Sequence, residues 1–187
     1  AGSKFPAKYQ SAIYALDWTY GSIWAIHLQP KGSSYVATRE EFVGGKPLPV
    51  TDAVIHPNDG AMYFAVGGRG SKSFLYKVTY EGKESTASVT GKNMLGKKER
   101  SLRHELEALQ RPGDKRALSK IWKGLGQEDR FIRNAARISL EHQPVETWAN
   151  KALAEKDSQT LLTAITALAR HGSAGQRDDI LEALGRL

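Results

Sequence analysis

Two hydrophobic rhythms divide the chain. To about residue 80 the apolar positions gather in short runs rich in β-branched and aromatic residues, separated by Gly, Pro, Asn or Asp. The runs are 12–16, 22–28, 34–38 continuing towards Phe42 and Val43, 52–55, 61–66 and 74–80. In the last, Leu75, Lys77 and Thr79 alternate with Tyr76, Val78 and Tyr80, as in a strand with one wetter face. Asn58-Asp59-Gly60 tolerates positive φ and predicts a tight hairpin between the fourth and fifth runs. Six strands are therefore expected.

From Lys97 the period becomes helical. Leu102, Leu106 and Leu109 fall on one face, and Leu118, Ile121, Trp122 and Leu125 on the next. Arg111-Pro112-Gly113-Asp114 breaks the chain, with Asp114 placed to cap the second helix. A third helix opens at Asp129 and ends at Gln143-Pro144; a fourth carries Trp148, Ala152 and Leu153. Asp157 and Ser158 cap a fifth, closed at His171-Gly172, and Ile180, Leu181 and Leu184 mark a sixth. Helix pairs recur at about 30 residues, the pattern of an α-solenoid whose small Ala positions let neighbouring helices approach. The fold class expected is α+β by segregation. A β segment over 1–82 and a linker over 83–97 precede helical repeats over 98–187.

A weak internal repeat runs through the strands. Tyr14 to Gly21 followed by Ile23 to Ile26 parallels Tyr63 to Gly70 followed by Phe74 to Lys77, an offset of about 50 residues as in propeller blades. Six strands make about one and a half four-stranded blades, and a closed propeller needs at least four. The β segment is therefore expected to be completed by further sheet or shielded by the helices.

Composition narrows the chemistry. The chain of 187 residues has no cysteine, which removes disulfides, thiolate metal sites, cysteine nucleophiles and a covalently bound c-type haem within it. No run of 18 apolar residues exists, so no membrane-spanning helix is expected. The net charge is +7, but the excess is spread: 10 basic against 7 acidic residues over 1–96, and 17 against 13 over 97–187. The dense stretch Lys97-Lys98-Glu99-Arg100 with Arg103 falls at the first helical turn, so nucleic acid is not the expected partner.

Single residues add little catalysis. The histidines have no partner at metal-ligand spacing, and Ser71 and Ser73 lack a Ser-His-Asp setting. Gly67-Gly68-Arg69-Gly70 is not a phosphate loop, because no Gly-Lys-Ser/Thr comes after it. Three residues stand as candidates for ligand binding: Arg69 in its Gly-rich turn, and Asp17 and Asp52 at strand ends. Each has a structural alternative as a residue bonded to its own turn. Trp18, Trp24, Trp122 and Trp148 read as core or inter-repeat packing.

The whole chain resembles the middle of large propeller-plus-HEAT proteins related to soluble glucose/sorbosone quinoprotein dehydrogenases. These include the secreted, membrane-associated dehydrogenase-like group of planctomycete-type bacteria. The resemblance is carried by Phe5 to Gln10, Asp17 to Gly21, Gly45 to Asp52, Asp59 to Phe64 and Gly67 to Gly70, and continues through the helical run 129–143. It implies a six-bladed propeller, then HEAT repeats, then often a cytochrome c domain, in a periplasmic or extracellular protein. Quinone-binding members place a lysine in the turn matching 17–21 and an Arg-x-Arg-Asp matching 49–52. This chain has Thr19, Pro49 and Thr51 there. A tricarboxylated quinone needs cations to offset its charge. The implied cofactors, pyrroloquinoline quinone or a c-type haem, would therefore belong to a longer parent, and these residues hold no complete catalytic site. Two functions are expected in consequence: a piece of an extracytoplasmic dehydrogenase-like oxidoreductase, partnered by the rest of its parent, and a non-catalytic protein–protein scaffold built on HEAT-like repeats.

Overall fold

A computed structural model describes residues 4–68, 70, 72–112 and 117–187. Its strands are N-terminal and its long helices C-terminal. The six strands are β1 (Ile13–Asp17), β2 (Ser22–Lys31), β3 (Ser34–Gly44), β4 (Val50–Ile55), β5 (Met62–Val66) and β6 (Phe74–Val78). A single helical turn, α1 (Ala7–Gln10), precedes them. The C-terminal helices are α2 (Lys97–Glu107), α3 (Ala117–Leu125), α4 (Arg130–Glu141), α5 (Ala149–Leu153), α6 (Ser158–His171) and α7 (Arg177–Leu184). The chain divides into two compact units. One comprises 1–30 and 35–94; the other comprises 95–187 together with 31–34, the tip of the β2–β3 hairpin.

Among the described residues the strands form two three-stranded antiparallel sheets, β1-β2-β3 and β4-β5-β6, and no closed barrel. There β1, β3, β4 and β6 are border strands with a ladder neighbour on one side only. The period-2 pattern assigns the faces. Tyr14 and Leu16 stand opposite Ala25 and Ile23, and Phe64 stands opposite Ala53 and Tyr76. Ile23, Val50, Met62, Phe64 and Val66 form the common core with Phe5 and Leu48. Tyr9, Tyr14 and Phe5 press edge-on or tilted against Phe42, with ring centroids 5.0–5.6 Å apart. Burial pushes the Tyr14 hydroxyl up to about 12, while the hydroxyl donates to Tyr9 O at 3.1 Å.

Gly60 supplies the positive φ (+68°) of the β4–β5 turn expected from Asn58-Asp59-Gly60. Asp59 secures that turn: Oδ1 accepts from Ala61 N at 3.0 Å, and Oδ2 meets Lys77 Nζ at 3.0 Å and the Tyr63 hydroxyl at 2.9 Å. The Ala61 amide, then Lys77 and Tyr63, hold its carboxyl well below the usual range.

Sequence reading missed α1 and what it carries. Gln10 is buried; its amide nitrogen donates to Phe5 O (2.9 Å), Thr86 O (3.3 Å) and Ala87 O (3.0 Å). Its Oε1 accepts from Val89 N at 3.2 Å. One side chain thus serves the backbone of residues 86–89, which belongs to no sheet. The stretch offers Gln10 what a strand offers its neighbour.

In the helical unit α4 packs against α2, α3 and α6, and α6 against α5 and α7. Ile121, Leu125, Ala136, Leu140, Trp148 and Leu168 lie at its centre. Asp129 and Asp157 are the N-caps of α4 and α6, with nearly equal backbone angles. Asp129 Oδ1 accepts from Phe131 N (2.8 Å) and Ile132 N (3.3 Å); Asp157 Oδ1 accepts from Thr160 N (2.9 Å). Both satisfy first-turn amides that no helix can pair internally. The other expected cap, Asp114, lies outside the described residues. At the far end of α2, α4 and the turn after it add side-chain donors to carbonyls that already accept from Leu109 N and Arg111 N. Buried Ser139 donates to Leu106 O at 2.6 Å, and buried Gln143 to Leu109 O at 3.2 Å.

The hairpin tip is tied into this unit by its backbone. Fully buried Ser33 donates its amide to Asp129 Oδ2 at 2.6 Å, and Arg103 Nη1 donates to Ser33 O at 2.8 Å. Burial alone would push the Asp129 carboxyl up; the bonds from Ser33, Phe131 and Ile132 outweigh it and hold it below its ordinary value.

Candidate functional site

Three loops meet at one end of the sheets: 18–21 between β1 and β2, 45–49 between β3 and β4, and the start of the β5–β6 connection. Main-chain bonds tie them, Gly45 N to Gly21 O and Gly67 N to Pro49 O, both at 3.0 Å. The Trp18 indole adds a bond to Gly67 O at 3.1 Å. Gly21 is required here: its φ is +72°, and a Cβ would lie 2.4 Å from Gly45 O. Between the loops is a cleft of ≈ 340 Å³ walled by Trp18, Tyr20, Pro47 and Pro49 and reached by Lys46. The Lys46–Pro47 bond is cis. A second hollow of ≈ 540 Å³ shares Tyr20, Gly45 and Lys46 and extends to Ser22, Trp24 and Glu41. Arg39 lies 4.6 Å over the Trp24 ring, and Ser22 Oγ donates to Glu41 at 2.6 Å.

Trp18 corrects the sequence reading of the tryptophans. It is 53 % exposed, and Tyr20 beside it 74 %. The turn holds the indole by its N–H and leaves the ring in solvent. Trp24 is half-buried under Arg39, whereas Trp148 is a core residue as expected. Trp122 is half-buried and donates to Glu155 at 2.7 Å, with Lys151 4.3 Å from its ring.

The candidate residues fare differently. Asp17 ends β1, and its Oδ1 accepts from Tyr20 N at 3.0 Å, so its carboxylate shapes the 18–21 turn. Asp52 is exposed at the register shift of β4 and bonds its neighbour Ala53 N at 2.8 Å. Both carboxylates thus engage local amides, and neither is among the described residues lining the cleft. Arg69 and Ser71 lie outside the described residues. Lys46 and Tyr20 do reach the cleft, and sequence reasoning did not single them out. Their signal was the pair of turn-forming segments at 17–21 and 45–49 that separate the strand runs.

Chemically, the cleft offers two exposed aromatic faces, two proline rings and one ammonium. Thr19 adds a hydroxyl to the lining. Such a surface suits stacking and apolar contact more than bond-making. Elsewhere the histidines pair with single carboxylates or carbonyls, His27 with Glu40 at 2.9 Å and His171 with Glu141 at 3.3 Å. Among the described residues no three His, Asp or Glu side chains gather to hold a metal ion. No helix there is long and apolar enough to cross a membrane. No family model, curated protein or solved structure matches this chain.

Proposed function

We propose that the chain is a segment of an extracytoplasmic, glucose/sorbosone-dehydrogenase-like oxidoreductase, and that its own residues act as a non-catalytic scaffold within that protein. The observation that carries the reading is how the sheets are composed. The loop bonds place the ends of β1, β3 and β5 at the same end of the unit, so β1 and β4 run in opposite senses. The sequence repeat maps β1 and β2 onto β5 and β6. β4 then stands for a strand that would precede β1, and β3 for one that would come after β6. Each sheet is three strands of one four-stranded blade, lacking a different member.

The helical unit supports the second half of the proposal. α4 and α6 begin from matching aspartate caps and pack side by side, with α3, α5 and α7 against them, as in HEAT-like pairs. Such pairs present extended surfaces to protein partners. The cleft supports a non-catalytic role for these residues, since Thr19, Pro49 and Thr51 replace cations that a quinone would need.

Two measurements test the proposal. Titration with pyrroloquinoline quinone, followed through the exposed Trp18, should give no saturable quenching and no aldose-dependent dye reduction. Saturable binding with turnover would overturn the non-catalytic assignment. The encoding reading frame should supply further four-stranded units; a frame confined to these 187 residues would sink the dehydrogenase reading.

A further inference from the structure

Residues 84–90 carry the pattern of a strand yet lie in no sheet. Thr86, Ser88 and Thr90 alternate with Ala87 and Val89, shortly after β6. Between β6 and this run stands Gly82-Lys83, with glycine at the first central position of a two-residue type II′ hairpin loop. The chain already bends at 82–84, where Glu84 N donates to the Tyr80 hydroxyl at 3.1 Å. Past the bend the segment does not return along β6. Gln10 takes its backbone instead, bonding Thr86 O, Ala87 O and Val89 N. Meanwhile β6 is a border strand, paired among the described residues with β5 alone, and its Leu75 is 72 % exposed.

A two-residue loop fixes one register: Val78 opposite Ala87, Tyr76 opposite Val89, Lys77 opposite Ser88 and Leu75 opposite Thr90. That register sorts both faces. Tyr76 stacks on Phe64 and Val78 packs on the core of the sheets, so Val89 and Ala87 would join the apolar side. Ser88 and Thr86 would join Lys77 and Thr79 on the wetter side. A slip of one residue would reverse every assignment. We propose that residues 84–90 are a strap with two seats: clasped by Gln10, as in the structure, or added to β6 as a fourth strand of the second sheet when the clasp opens. In the first sheet β3 holds the equivalent place beside β2. The seats compete, because successive carbonyls of a strand point to opposite edges. At least one of Thr86 O and Ala87 O must therefore leave Gln10 for the segment to pair. Addition would cover a border whose open N–H and C=O groups otherwise template pairing with other chains. The inference rests on register and hydrogen bonding, independently of the dehydrogenase reading.

Because the chain has no cysteine, disulfide trapping can read this register cleanly. In Leu75→Cys/Thr90→Cys the two thiols would face each other across the added strand. Leu75→Cys/Val89→Cys puts them on opposite faces, and Leu75→Cys/Thr86→Cys puts them four residues off register. In oxidised glutathione the first pair should close about tenfold faster than either control, since a bridge needs close, facing Cβ atoms. Peptide maps under non-reducing conditions identify the bridge, and the intact mass shows that it lies within one chain. Adding Gln10→Ala should speed closure a further tenfold or so, in step with the easier opening of the clasp. Unchanged far-ultraviolet circular dichroism establishes that each variant is folded. Equal rates for the three pairs overturn the proposal, as free wandering of the segment would give them. So does a control that closes fastest, a folded Leu75→Cys/Thr90→Cys chain that stays reduced or bridges only between chains, or a rate that Gln10→Ala leaves unchanged.

Discussion

Replacing Asp129 with alanine removes two interactions that two different oxygens make. Oδ1 caps α4, and losing an aspartate cap costs about 1 kcal/mol. Oδ2 accepts the amide of Ser33, which is fully buried, so its removal strands a donor at about 1–3 kcal/mol. The sum is about 2–4 kcal/mol, against about 1–2 kcal/mol for Asp157→Ala, where α6 loses its cap and the Thr160 hydroxyl, which can turn to another acceptor, loses its bond to Oδ1. Asp129→Asn separates the parts: its carbonyl can still cap, but its NH₂ faces the Ser33 N–H, donor against donor. Urea unfolding followed at 222 nm, pH 7, should rank Asp129→Ala as most destabilised, then Asp129→Asn, then Asp157→Ala. The pH dependence has a defined sign. The folded-state carboxyl is depressed, so its contribution is complete above about pH 4, where the unfolded carboxyl titrates, and is lost as pH falls through the lower folded value. The gap between wild type and Asp129→Ala should therefore close in acid. Equal losses for Asp129→Ala and Asp157→Ala, or a gap that widens in acid, would refute the reasoning.

Gln10→Ala should free residues 86–89, so that trypsin cuts at the flanking Lys83 and Lys92 about tenfold faster, the equivalent of about 1.4 kcal/mol of easier opening. An unchanged cleavage rate would mean that Gln10 does not hold the segment. Gly124→Ala should destabilise α3 although alanine favours helices by about 1 kcal/mol. The new Cβ would lie 2.7 Å from Ala136 Cβ and 3.1 Å from Leu106, and overpacking costs about 1–3 kcal/mol. A raised melting temperature would show that the helices separate freely there. Tyr14→Phe should remove the tyrosine that titrates near 12 from an absorbance titration at 295 nm. Because burial raises this pKa, the stability it adds is complete below about pH 10 and fades as pH climbs through the folded value.

Period and turn chemistry made the elements legible. Short β-branched and aromatic runs between turn residues located the six strands, and the aspartates at 129 and 157 marked two helix starts that the structure places at Arg130 and Ser158. Other features depend on pairings that no local pattern encodes. Gln10 sits in a stretch without helical period, and its partners at 86–89 lie more than 70 residues away. The Trp18 ring reads as core because its type is apolar; its exposure comes from a turn bonded to a loop distant in sequence. Lys46 joins the cleft only because the loops at 18–21 and 45–49 converge. For Asp17 and Asp52 the sequence left two readings open, and local amide bonds account for both carboxylates.

The partnership of Ser33 with Asp129 and Arg103 bears on how this polypeptide can be divided. Those bonds join positions 96 and 70 apart, so the helical unit is assembled from two stretches of chain. A single scission between strands and helices would take Ser33 from its own unit, leaving a carboxylate oxygen and a guanidinium with water in place of a peptide group. Excising the helices as an autonomous piece therefore calls for a redesigned Asp129 and Arg103, or for a short peptide carrying residues 31–34 added back.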